Sequence, residues 1–423
     1  MTESEAERLI FDHSLSRDRV GRIGVELEWF VLPVGDPGLR PGRQELARLA
    51  DTPGQPLPAG GVLSWEPGAQ LELSSLPRDS LPECVDAVTA DLLALRSRCA
   101  QAGVRLLGAG LDHRPARFIV PLPRYLALRN FYARIGADGD ELLCNTASLQ
   151  VNVDAGDDSA GWRGRSRRWL IANALGPLLM AMFANSPVRD VQGPSGHFAV
   201  SGRQLLRFRA DRLRTRALRP AGDPRHVWTQ FALDSQVLAI RRSEGPFDVP
   251  VRESSGASGP GDQWEPAPEG LSLRRWLRGG GPRAVGVDDL FHHLKFLVPP
   301  VRACGHLELR MIDAQEEDDW MVPVAVVAAL FDDEATSDVV HHLLRGVGTQ
   351  PTSREWTDAA RYGLAAPGLA ELARTVMTEA VAGAHRLGAS HEVTEAVERF
   401  ADTFTLRGLS PAHQHLPGHV AVP

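Results

Sequence analysis

The run Gly24-Val25-Glu26-Leu27-Glu28-Trp29-Phe30 sets an acid at every second position against Val, Leu and Trp. Side chains alternate between the two faces of a strand. A strand over 22–32 therefore shows Glu26 and Glu28 on one face and Val25, Leu27 and Trp29 on the other. Three later segments repeat the pattern: Gln70 with Glu72, preceded by Glu66 at the Pro67-Gly68 turn; Gln150 with Asn152; and Glu308 with Arg310. A single strand of this kind is equally well explained as a half-buried strand with a wet face. Four such strands ask for more. Glutamate is disfavoured in strands and like charges set opposite each other repel, so several carboxylates on one sheet face need a compensating cation. Mg²⁺ or Mn²⁺ would supply it, because hard divalent ions take oxygen ligands and complete their shell with water and phosphate oxygens. Zinc at these acids is a poor competitor. The fourteen histidines are read as remote from them, and His292-His293 are adjacent in a helical stretch, where neighbours point to different faces.

Around these segments the chain reads as mixed α and β. Strand patterns cover 22–32, 61–66, 70–75, 104–109, 143–154 and 306–313, each bounded by Gly, Pro or Asp punctuation. Apolar residues at helical spacing (Leu81, Val85, Val88, Leu92, Leu95) predict an amphipathic helix over 80–100, and 169–183, apolar all round, reads as a buried helix. The Gly-, Pro- and Ser-rich stretch 243–270 reads as a loop, either a lid or an insertion. After 313 the chain is helical to about 407, most clearly over 368–387 and 391–404. No internal repeat and no regular βαβ alternation appear. The expected class is α+β with a mainly antiparallel sheet, in one catalytic domain spanning 1–423: a sheet-containing core over 1–330 and a helical part over 331–423.

Composition narrows the chemistry. Lys295 is the only lysine among 46 basic residues, so a phosphate loop ending in lysine and Schiff-base catalysis are both nearly excluded. Any bound phosphate must then be held by arginines and metal ions. The net charge of −7 argues against a nucleic-acid partner, although 203–219 is locally basic. No apolar run reaches membrane-spanning length, and the four cysteines show neither CxxC pairs nor dense spacing, so the chain reads as a cytoplasmic protein with reduced thiols.

With these residues in place the sequence resembles the plant-type and actinobacterial glutamate-cysteine ligases. The matching blocks are GVELEWF from Gly24, EPGAQLELSS from Glu66, NTASLQVNVD from Asn145, MFANSP from Met182, DRLRT from Asp211 and HLELRMIDAQ from His306, in the family's order. The likeness is greatest to members that serve ergothioneine biosynthesis. The resemblance implies a glutamine-synthetase-like carboxylate-amine ligase fold, in which a curved, mainly antiparallel sheet is packed with helices. It implies metal ligation by Glu26, Glu28, Glu66 and Glu72, with Glu308 a further candidate, and two or more Mg²⁺. It places Gln150 and Asn152 toward the substrates and Arg310 near the nucleotide. Arg203 corresponds to an arginine that grips a substrate carboxylate, with Arg207 and Arg209 as neighbours able to take that role, and Arg214 and Thr215 to a stretch that meets the phosphates.

The implied substrates are ATP, L-glutamate and L-cysteine, joined through a γ-glutamyl phosphate to give γ-glutamylcysteine. No protein nucleophile is required, since phosphoryl transfer depends on positioning and charge neutralisation. The acyl phosphate calls for shielding from water by a closing segment near Arg203 or Ser254. Two alternatives stay open: a ligase joining glutamate to a different amine, and a catalytically silent member that binds nucleotide or amino acid. Cysteine selectivity would reside in a small pocket, to which Trp228 and Tyr132 are aromatic candidates, although a lone aromatic is more often core.

Overall fold

The computed structural model describes residues 1–15, 21–50, 56–136, 138–190, 197–219, 221–242 and 263–416. The acidic run forms β1 (Ile23–Pro33), and the chain continues through β2 (Val62–Trp65), β3 (Gln70–Ser74), β4 (Val104–Leu107) and β5 (Ser148–Val153). Two small ribbons follow, one pairing β6 (Val188–Arg189) with β7 (Phe198–Ala199), the other β8 (Ala239–Arg241) with β9 (Trp264–Pro266). A last hairpin joins β10 (Val301–Ala303) to β11 (Leu307–Asp313). Seven strands make the main sheet in the order β10-β11-β5-β1-β3-β2, with β4 also on β1. Every pairing is antiparallel. β1 changes neighbour midway, from β5 along Ile23–Leu27 to β4 along Phe30–Pro33. The architecture is the α+β one that the pattern of elements predicts.

One face of this sheet is apolar. Val25, Leu27, Trp29, Leu71, Leu73, Leu149, Val151, Leu307 and Leu309 are buried in the main core. The helix Leu81–Gln101 packs behind it, burying Val85, Val88, Leu92 and Leu95, its first turn capped by Ser80. Behind it also lies Met321–Asp332, a helix apolar on every side and accordingly buried on every side. The same core takes in Val376 and Met377 of the helix Leu369–Arg386 and Val397 and Phe400 of His391–Thr403. Among the described residues no helix is long and apolar enough to cross a membrane.

Three sequence expectations are corrected. The strand read over 143–154 starts only at Ser148, because Leu143 and Cys144 close the short helix Gly139–Cys144. Asn145 pins that change of direction: its Nδ2 donates to the carbonyls of Asp112 (2.9 Å) and Arg114 (2.7 Å). The buried helix read over 169–183 is two helices, Arg165–Ala174 and Gly176–Met182, with Pro177 in the first turn of the second. Gly176 is fixed there by a close approach, since a Cβ on it would lie 2.2 Å from the Trp356 ring. The stretch 243–270 is not all loop: Trp264–Pro266 pairs with β8, while 243–262, including most of the lid candidate near Ser254, lies outside the described residues.

Candidate active site

The other face of the sheet is polar, and the register assembles it. Glu26 stands opposite Gln150 on β5 and Ser74 on β3; Glu28 stands opposite Glu72; Glu308 stands opposite Asn152 on one side and Arg302 on the other. Side chains that register brings together on one face are within reach of each other. Glu28 accepts three hydrogen bonds: from the Ser148 amide (2.8 Å), the Ser148 hydroxyl (2.8 Å) and Gln150 Nε2 (2.9 Å). Glu26 accepts one from Asn152 Nδ2 at 3.3 Å. Glu72 Oε1 accepts from the hydroxyls of Ser64 (3.0 Å) and Ser74 (3.1 Å). Glu66 follows β2 in a tight turn, its carbonyl accepting from the Ala69 amide at 2.9 Å, and lies close enough to Glu72 to raise that carboxyl's pKa. Gln70 leaves the pattern. It is fully buried, accepting from the Gly68 amide and donating to the carbonyls of Leu143 and Thr146, and so serves as a strut for the turn.

A bulge aims the arginine of β11. Leu309 pairs with Val151 and Ile312 with Leu149, so Arg310 and Met311 together face the single residue Gln150. Arg310 bonds the Gln150 side-chain oxygen and one oxygen of Glu308. Arg302 holds the other Glu308 oxygen through Nε at 2.7 Å. Sequence reasoning missed Arg302, whose signal was its place directly across the hairpin from Glu308.

The acids divide into two electrostatic groups. Burial and the nearness of Glu308 raise the Glu26 carboxyl, against the pull of Arg310 and Arg302. Burial and the charges of Glu66, Glu26 and Glu28 raise the Glu72 carboxyl well above its ordinary value. Glu308 is the reverse: burial opposes its charge, but Arg302 and Arg310 outweigh it and hold the carboxyl down at about 2. One end of the face thus carries uncompensated carboxylates and the other carries carboxylate already matched by arginine.

The remaining sequence candidates divide sharply. Arg203, 2% exposed, donates through Nε to Asp313 at 2.7 Å and through a terminal nitrogen to the carbonyls of Arg310 and Ile312. Asp313 also accepts from the Asn185 amide (2.9 Å) and the Ser186 hydroxyl (2.6 Å). The MFANSP block and Arg203 are therefore parts of one buried network that fixes the end of β11, in which two nitrogens of Arg203, the residue expected to grip a substrate carboxylate, are taken by protein groups. Arg214 is buried and bonded to Asp211 and Tyr132, and Thr215 donates to the Asp211 carbonyl at 2.7 Å. Most of these donors meet protein, while one terminal nitrogen of Arg214 has no partner among the described residues. Tyr132 and Trp228 are both core residues. Arg209 forms a surface pair with Asp138. Arg207 differs from all of these. It is half-buried, donates to the Val298 carbonyl at 2.8 Å, leaves Nε without a partner and has no carboxylate of its own among the described residues. Burial, with Arg203 and Arg310 nearby, pushes its pKa down to about 9.

A sheet face that sets four glutamates beside a cluster of arginines offers oxygen ligands for cations next to donors for anions. Comparison with known proteins supplies the class. The profile of glutamate-cysteine ligase family 2 matches residues 22–417. The chain is 33% identical over 400 residues to "Glutamate--cysteine ligase EgtA" of Mycobacterium tuberculosis, covering 91% of this chain and 86% of that one. It is 33% identical to the protein of the same name from Mycolicibacterium smegmatis over 83% and 78% of the two chains. To the chloroplastic glutamate-cysteine ligase A of rice it is 26% identical over 66% and 53%. Among solved structures, the bifunctional glutathione synthetase of Pasteurella multocida overlays at a TM-score of 0.49 with 15% identity, covering 98% of this chain and 51% of that one. The chain belongs to glutamate-cysteine ligase family 2 and is by that membership a ligase.

Proposed function

We propose that this chain, as one catalytic domain in the cytoplasm, joins the γ-carboxylate of L-glutamate to the amine of L-cysteine at the expense of ATP. The product, γ-glutamylcysteine, would feed the synthesis of a low-molecular-weight thiol, ergothioneine in the first place. The observation that carries this reading is the sharing of one sheet face by an acidic half (Glu26, Glu28, Glu66, Glu72) and a basic half (Arg310, Arg302), with Arg207 of the helix Gly202–Ala210 beside Arg310. A reaction between a carboxylate and a triphosphate needs both: oxygen ligands for cations and donors for anions.

The donor set fits magnesium. Glu26 and Glu72 are raised by burial and by neighbouring acids, Glu308 beside Glu26 and Glu66, Glu26 and Glu28 beside Glu72, a charge excess that a cation relieves, and all the available ligands are hard oxygens. Glu26, Glu28, Glu66 and Glu72 would hold the ions, with Glu308 the least dependent on them because two arginines already balance it. When bound, the ions neutralise charge on the phosphate oxygens and order the attacking carboxylate. The chain's own groups do the rest. Ser148 and Gln150 fix the Glu28 carboxylate, and Gln150 in turn anchors Arg310, so a ligand of the acidic half and a donor of the basic half are set by one side chain. Asn152 orients Glu26. Arg207 and Arg310 take up anionic oxygens, for which the planar guanidinium is suited. Arg203 and Arg214 act through position, by fixing β11 and the segment after the helix Gly202–Ala210.

The test is incubation of the purified chain with ATP, Mg²⁺, glutamate and cysteine, following phosphate release and the dipeptide by mass. Turnover requiring all four components is the expected result. No turnover with any amino-acid pair sinks the reading; turnover that prefers another amine reassigns the acceptor.

A further inference from the structure

The hairpin that closes β10 onto β11 brings a different set of ligand atoms together at the rim of the acidic face. Ala303 pairs with Leu307, and the three residues between them turn through Gly305 at φ 90°, the Cys304 amide donating to the His306 carbonyl at 3.1 Å. That left-handed position favours glycine. The turn folds Cys304 and His306 over Glu308, which corrects the expectation that no histidine flanks the acids: alternation along β11 puts His306 on the same face as Glu308. Cys304 Sγ lies 3.4 Å from His306 Nε2 and 3.3 Å from Glu308 Oε2, and the three ligand atoms lie within 4.8 Å of one another. In tetrahedral zinc, bonds of about 2.3 Å to sulfur and about 2.0–2.1 Å to nitrogen or oxygen set the sulfur-nitrogen and sulfur-oxygen edges at about 3.5 Å. Both separations fall within a few tenths of an ångström of that. Cys304 is also the exposed thiol, whereas Cys84, Cys99 and Cys144 are buried.

We propose that Cys304, His306 and Glu308 form a binding site for a thiophilic divalent cation such as zinc, and that its occupancy inhibits the ligase. The sulfur and imidazole ligands select against magnesium, which prefers oxygen. On binding, the thiol proton passes to water and solvent keeps the fourth position. Inhibition follows from which atoms the ion takes. His306 Nε2 is the atom that hydrogen-bonds Asn152 Oδ1 at 3.1 Å, and Glu308 Oε2 is the atom held by Arg302. Zinc therefore releases Asn152, the partner of Glu26, and loosens Glu308 from its arginine clamp. The inhibitory half of the proposal rests on the ligase reading; the binding half does not.

The full chain, freed of metal by dialysis against a chelator, is titrated with Co²⁺ alone. One equivalent should give a thiolate-to-cobalt charge-transfer band in the near ultraviolet. Cys304→Ser should lose the band while keeping its circular dichroism and its turnover without zinc, and His306→Ala should weaken cobalt binding by about tenfold or more. In turnover with saturating Mg²⁺, zinc should inhibit the wild type, and Cys304→Ser should resist it by about tenfold or more. A wild type without the band, a band that survives in Cys304→Ser, or equal zinc sensitivity in the two proteins overturns the proposal. A chain that binds cobalt as described yet turns over no amino-acid pair leaves the metal site standing and removes the ligase reading instead.

Discussion

Glu28 and Glu72 face each other across β1 and β3, yet only Glu28 is held by a set of donors from a third strand. Glu72 has two hydroxyls and three neighbouring acids, so without a cation its charge works against the fold. Replacing Glu72 by Gln removes that repulsion while keeping the side-chain shape. In chelator, Glu72→Gln should melt at or above the wild-type temperature; with Mg²⁺ it should lose most of the stabilisation the wild type gains, and turnover should fall by roughly two orders of magnitude or more, as expected when several kcal/mol of charge stabilisation is lost. Thermal scans with and without Mg²⁺ check the first two statements. A variant that melts lower in both conditions would show Glu72 to be structural. Arg207 makes the complementary case. Arg207→Ala should raise the KM of an anionic substrate by about tenfold to hundredfold, the range of a charged hydrogen bond of about 1.5–3 kcal/mol, with a smaller effect on melting. Steady-state kinetics that vary ATP and glutamate separately will show which anion it holds.

At the level of elements, β11 joins the two halves of the site, and the pair behind it is structural. Arg203 and Asp313 are both buried, and Arg203 also braces two carbonyls of the strand. Removing one partner of such a pair costs about 3–5 kcal/mol, because a buried charge is left unmatched. Arg203→Met should therefore lower the urea midpoint strongly while KM values, measured where the variant is folded, change far less than in Arg207→Ala. The contrast also shows where sequence reading stopped. The period-two runs placed β1, β3 and β11 within a residue or two and put Glu26, Glu28, Glu72 and Glu308 on one face, since alternation is fixed by the backbone itself. What alternation does not carry is depth. Arg203, Arg207 and Arg209 are near neighbours on one helix, and only tertiary packing makes the first a strut, the second an unmatched cation and the third a surface pair. The Ser148 start of β5 and the break at Gly176 were hidden for the same reason: Asn145 and Trp356 act across the fold.

At the scale of the whole molecule, the raised acids couple stability to pH and to magnesium in opposite senses. A carboxyl whose folded pKa lies above its unfolded value, 4.5 for glutamate, binds more protons in the folded state between those two values. Stability therefore falls as pH rises from about 4.5 through the folded pKa, and the full penalty of two buried like charges stands above it. Glu308 runs the other way: held down at about 2, it adds stability that is present above 4.5 and lost as pH drops toward 2. Its contribution is constant over the upper window, so the two can be separated. In chelator, from pH 5 upward, the wild type should lose melting temperature relative to Glu72→Gln as pH increases. Added Mg²⁺ should reverse the trend, because an ion that binds only ionised carboxylate stabilises more as the protons leave. The quantity to plot is the Mg²⁺-induced shift in melting temperature against pH, for wild type and Glu72→Gln together. Parallel curves for the two proteins would mean that the acidic face does not bind the ion; a shift that grows with pH in the wild type alone ties cation binding to the carboxylates that β1 and β3 hold opposite each other.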